Sequence, residues 1–83
     1  MTEDANRIPG LTLTCLTGPQ CSVHFEPWGT EFTLRSGDVF HVETTALSTG
    51  DVELSYVDGG IVLAFTVDVP IVVTDRTGQR LEI

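Results

Sequence analysis

From Leu11 onward the chain alternates apolar and polar side chains with a period of two, the pattern of strands with one face buried. Leu11, Leu13 and Cys15 fall on one face of a first strand, with Thr12 and Thr14 on the other. "TGPQ" (17–20) breaks the run, and Cys21, Val23 and Phe25 resume it. A hairpin setting Cys15 opposite Cys21, Leu13 opposite Val23 and Leu11 opposite Phe25 would gather every apolar side chain on one face. A third strand near 30–35 turns Phe32 and Leu34 inward. "SGD" (36–38) leads to a fourth, with Phe40 and Val42 facing the core. "STGD" (48–51) precedes a fifth carrying Val52, Leu54 and Tyr56 on one face. Asp58-Gly59 predicts a type I′ hairpin that pairs Tyr56 with Ile61, Leu54 with Leu63 and Val52 with Phe65. After Pro70, a three-residue loop with Gly78 in the left-handed region sets Asp75 opposite Gln79 and Val73 beside Leu81.

The turn signals recur every 8–12 residues or so, and helical periodicity is nearly absent. The predicted fold is all-β: a small antiparallel β-barrel or sandwich of seven to eight short strands in meander order. One domain is expected over 11–83, preceded by a flexible N-terminal segment, 1–10. With 83 residues there is room for a single core and no second domain.

Charge narrows the partners. Twelve acidic residues against four arginines, with no lysine, give a net charge of −8. That field repels phosphate backbones and anionic lipid surfaces alike, so neither nucleic acid nor membrane is an expected partner. No apolar run is long enough to span a bilayer, and the acidic start lacks the features of a secretion signal. A cytoplasmic location is expected. There Cys15 and Cys21 would be small buried thiols packed across the first hairpin, with a cross-strand disulfide as the alternative under oxidising conditions.

One stretch carries candidate chemistry. "HFEPWGTEFTLRSGD" (24–38) resembles the first motif of the cupin superfamily. His24 falls on that motif's first histidine, Glu26 stands where its second histidine does, and Glu31 follows at the spacing of its glutamate. Gly37 comes one residue early, and no stretch matches the second cupin motif. The resemblance implies a barrel-like fold and, as the alternative reading, a half-cupin that binds a small molecule or metal through His24, Glu26, Glu31 and His41. The alternation argues otherwise. If Val23 and Phe25 face the core, then His24 and Glu26 face solvent, as do Glu31 beside Phe32 and His41 between Phe40 and Val42. No nucleophile elbow, phosphate-binding loop or zinc-protease motif occurs, so no catalytic residues, enzyme activity or cofactor are predicted.

Two features suggest contact surfaces instead. Pro27 ends a strand, which places Trp28, the one tryptophan, at a corner. Trp28 is expected either to cap the barrel end or to anchor a partner or ligand. In "IVLAFTVDV" (61–69), Val62 and Ala64 make the outward face apolar too, with Val57 and Val72 as possible extensions. The expectation is a small acidic, non-catalytic binding or assembly module that forms a homo-oligomer or binds another protein.

Overall fold

The structure, a computed structural model, describes residues 8–83. It is a two-layer sandwich of eight strands among the described residues: β1 (Gly10–Thr14), β2 (Gln20–Glu26), β3 (Thr30–Arg35), β4 (Val39–Glu43), β5 (Val52–Val57), β6 (Gly60–Phe65), β7 (Val72–Thr74) and β8 (Arg80–Leu81). A short helix, α1 (Ala46–Thr49), lies between β4 and β5. One sheet runs β1-β4-β7-β8 and the other β3-β2-β6-β5, and neither closes into a barrel.

The order is not a meander, and the expected hairpin between the first two strands does not form. β1 pairs with β4, setting Leu13 opposite Phe40 and Leu11 opposite Val42. β2 pairs with β3, setting Val23 opposite Phe32 and Cys21 opposite Leu34. Residues 10–43 thus form one long hairpin folded across its middle, its stem in one sheet and its head in the other. Residues 39–74 repeat the device: β4 and β7 form the stem, and β5 and β6 form the head. The two heads lie side by side through a parallel pairing of β2 with β6, and we call their layer the head sheet. The β1-β4-β7-β8 layer is the stem sheet. Alternation within each strand is the same in either arrangement, so it could not distinguish a folded hairpin from a meander.

The local assignments hold. Val23, Phe25, Leu34, Phe40, Val42, Leu63 and Phe65 are buried, as expected of the inward face. Burying a ring the size of Phe25 stabilises by about 2–3 kcal/mol. Aromatic contacts join the layers: Phe25 meets Phe32 at 5.8 Å between ring centres, and Phe32 meets Phe40 of the stem sheet at 5.8 Å. The β5–β6 register is as predicted, with Val52 opposite Phe65 and Tyr56 opposite Ile61. Its turn is not type I′: Gly59 has a φ of 76°, whereas among the described residues only glycines take a positive φ, so Asp58 does not. That pattern suits a type II turn, which needs positive φ only at its second central residue. The short helix went unforeseen because four residues carry no periodicity; its Ala46 is buried beside Thr44, whose Oγ1 accepts the Ala46 N–H at 3.3 Å.

Of the lead-in expected to be flexible, residues 1–7 lie outside the described residues. Pro9 accepts the Thr44 N–H at 3.1 Å, and Gly10 opens β1.

The β7–β8 loop shows why Asp75 precedes Arg76-Thr77-Gly78. Asp75 Oδ1 accepts the Thr77 hydroxyl at 2.7 Å and the backbone N–H groups of Thr77 and Gln79 at 2.9 and 3.0 Å. The Thr77 hydroxyl is the largest cause holding the carboxyl below its ordinary range; desolvation opposes it, and the backbone N–H groups of Gln79, Thr77 and Gly78 add to the lowering. A depressed folded-state value contributes stability above the unfolded-state value and loses it as pH falls through the folded-state value. In an NMR titration the Asp75 carboxyl should titrate below an aspartate in an unstructured peptide, and Thr77→Ala should move it upward. A midpoint that ignores Thr77 would refute this assignment.

The parallel junction of the heads requires a glycine. A Cβ on Gly60 would run into the Ser22 carbonyl oxygen, and would lie 2.8 Å from the Ser22 carbonyl carbon and 2.9 Å from its nitrogen. Since these are backbone atoms, no rotamer change relieves them. Gly60→Ala is expected to cost about 3 kcal/mol, read as a lower urea midpoint. Gly10→Ala, whose Cβ would meet its nearest neighbours at 3.5 and 3.6 Å, is the control. Equal midpoints for the two variants would contradict the packing described.

Candidate functional site

The residues singled out from the sequence fall on three separate surfaces. At the tip of the first head, the Glu26–Pro27 peptide is cis and Gly29 donates its N–H to the Phe25 carbonyl at 3.0 Å. This tight turn presents Trp28 with 40% of its surface exposed. Its ring packs against Phe65 at 5.4 Å and so joins the chain of rings that continues through Phe25. On one flank lies a shallow hollow of about 350 Å³, edged by Pro27, Phe65 and Val67. On the other lies one of about 180 Å³, edged by Val69, Ile71 and Ile83. Trp28 therefore both covers the end of the core and offers a face to solvent.

Val62 and Ala64 lie half-buried on the outer face of the head sheet, on the central strand β6. Across the ladders Val62 faces His24 and Ser55, and Ala64 faces Glu26 and Glu53. The apolar strip is narrow and rimmed by polar groups. Val57 extends it along β5, but Val72 sits in the stem sheet and cannot.

The four possible ligands of the half-cupin reading are divided. His24 and Glu31 are cross-strand partners on the outer face of the head sheet, with Glu26 two residues along. His41 is exposed on the outer face of the stem sheet, its Nδ1 3.2 Å from the Thr12 Oγ1. The core lies between the two sets. Among the described residues no three His, Cys, Asp or Glu side chains are placed to hold one metal ion.

A fourth surface carries no residue singled out from the sequence as a contact. Cys15 and Cys21 are joined in a disulfide with 5.8 Å between their Cα atoms, correcting the expectation of two thiols. They meet not as partners in a hairpin but at the fold of the first long hairpin, where the chain passes from the stem sheet to the head sheet. Beside this bond an open cleft of about 470 Å³ is lined by Leu13, Leu16, Val23, Leu34, Tyr56 and Ile61, among others. Leu16 is 90% exposed, Tyr56 85% and Leu54 43%. The alternation of β5 correctly put Leu54 and Tyr56 on the inward-pointing face, but the opposite layer does not extend over them. What the sequence offers as a signal is a tyrosine, the amphipathic choice, at the end of that strand.

No family model matches the chain, nor does any curated protein or any solved structure.

The disulfide closes a loop over a sequence separation of 6. Loop-closure entropy for so short a loop is worth about 2 kcal/mol. Urea unfolding with and without reductant should differ by that amount, and the Cys15→Ser/Cys21→Ser double variant should match the reduced protein. Coincident unfolding curves would show that the bond contributes nothing.

Proposed function

We propose that this chain is a small acidic, non-catalytic binding or assembly module that associates with copies of itself. The observation that carries this reading is the set of large apolar side chains left in solvent beside the cleft and on strand β5: Leu16, Leu54 and Tyr56. Burial in a partner would gain for each of them the transfer free energy that the monomer forgoes. Trp28 is a second contact of the same kind, and Val62 and Ala64 a minor one given their polar rim. The half-cupin alternative gains no support from ligands on opposite outer faces. A net charge of −8 disfavours nucleic acid and anionic membrane as partners on electrostatic grounds. Among the described residues no helix is long and apolar enough to cross a membrane. The disulfide weighs against the reducing cytoplasm expected from the sequence and favours a compartment where such bonds persist.

Sedimentation velocity of the purified protein is the test. Its weight-average mass should rise above 9.0 kDa with increasing concentration. A strict monomer at high micromolar concentration would overturn the proposal.

A further inference from the structure

Strand β5 ends the head sheet, and among the described residues nothing pairs with its outer edge. Natural sheets usually blunt such an edge with proline, lysine, a bulge or brevity. Two of the other three edges show such devices: β8 has only two residues and β3 carries Glu31 and Arg35, while β1 is a five-residue strand preceded by Pro9. β5 is six residues, Val-Glu-Leu-Ser-Tyr-Val, with one charge and no proline. It is also the strand whose inward-pointing Leu54 and Tyr56 stay in solvent.

Two hydrogen bonds fix which backbone groups are free. Thr66 donates to the Asp51 carbonyl at 2.9 Å, so the odd positions of β5 bond to β6. Ser22 donates to the Gly59 carbonyl at 2.7 Å, which places the odd positions of β6 toward β2 and agrees with that phase. The N–H and C=O groups of Val52, Leu54 and Tyr56 therefore point away from the sheet. The same three residues carry the inward-pointing side chains.

We propose that the β5 edge is a homodimer interface, in which two copies pair antiparallel about Leu54 to make one continuous eight-stranded sheet. The sequence of β5 is self-complementary in that register. Leu54 opposes its own copy, Val52 opposes Tyr56, and Glu53 opposes Ser55. Centring the pair one residue earlier would set Glu53 against Glu53, which like-charge repulsion penalises. The chosen register bonds even positions to even positions, as the free groups demand. It also sets the uncovered Leu54 and Tyr56 of each copy against Leu54 and Val52 of the other. A six-residue edge makes a small interface, so the dimer belongs to the weak end of the range. Each copy carries −8, so screening must strengthen it.

The inference rests on the self-association proposed above, and three variants of the full chain separate the two. Sedimentation equilibrium of the native protein should give a dimer that tightens as sodium chloride is raised. Leu54→Lys places a cation on each copy at the centre of the pair and should abolish the dimer. Tyr56→Pro removes an N–H that β6 does not use, and should abolish it while circular dichroism remains that of a folded sheet. Val62→Lys, at the minor contact on the outer face, should weaken the dimer far less than either edge variant. Dimers that survive Leu54→Lys and Tyr56→Pro but not Val62→Lys would overturn the edge proposal and leave self-association standing. A native protein that stays monomeric at all salt concentrations would overturn both.

Discussion

The sandwich depends on one close approach, the backbone of β6 laid parallel against β2 at Gly60 and Ser22. Each half of the chain is a folded hairpin that could close on itself, but neither would bury both of its apolar faces alone. Side-by-side pairing of the two heads makes a four-stranded layer wide enough to cover the stem sheet. Parallel neighbours need a long connection between them, and the chain from β2 to β6 supplies it through β3, β4 and β5. Contact this tight between backbones leaves no room for a Cβ, which explains a glycine directly after the Asp58-Gly59 turn.

Other features follow from that junction. With β2 and β6 adjacent, Phe25 and Phe65 lie 6.4 Å apart, and the row of rings from Trp28 to Phe40 becomes continuous across both layers. With β2 held in the head sheet and β1 in the stem sheet, Cys15 and Cys21 meet at the bend between them, where a short link restrains the corner. The same placement sends β5 to the edge of its layer. An edge strand is half-satisfied by design, and here its unsatisfied backbone groups and its uncovered side chains belong to the same three residues. Packing inside the monomer and association between monomers thereby become two consequences of one strand order.

Much of this was legible in the sequence, and the remainder was hidden for an identifiable reason. Inward and outward positions were read correctly for β2, β3, β4 and β6 because alternation is a local property. The hairpins β5–β6 and β7–β8 were read in register because Asp58-Gly59 and Asp75 to Gly78 are short turns with strong local chemistry. The pairing of β1 is not legible, because the apolar positions of Leu11, Leu13 and Cys15 fit Phe25, Val23 and Cys21 as well as they fit Val42, Phe40 and the core beyond. Choosing between those partners depends on residues more than twenty positions apart, and no local pattern reports on that. The contact surfaces were harder still. Leu54 and Tyr56 look like core residues until the extent of the facing layer is known, and Val72 looked like a neighbour of Val62 until the two proved to be in different sheets.

The most direct test of this account is the scalar coupling across the hydrogen bond from the Ser22 amide nitrogen to the Gly59 carbonyl carbon, measured on isotopically labelled protein. The folded-hairpin topology predicts a resolved coupling, accompanied by close contacts between Val23 and Ile61 and between Leu13 and Phe40. Absence of that coupling, with close contacts between Leu13 and Val23 instead, would mean that β1 and β2 form a simple hairpin and would contradict the strand order of both sheets.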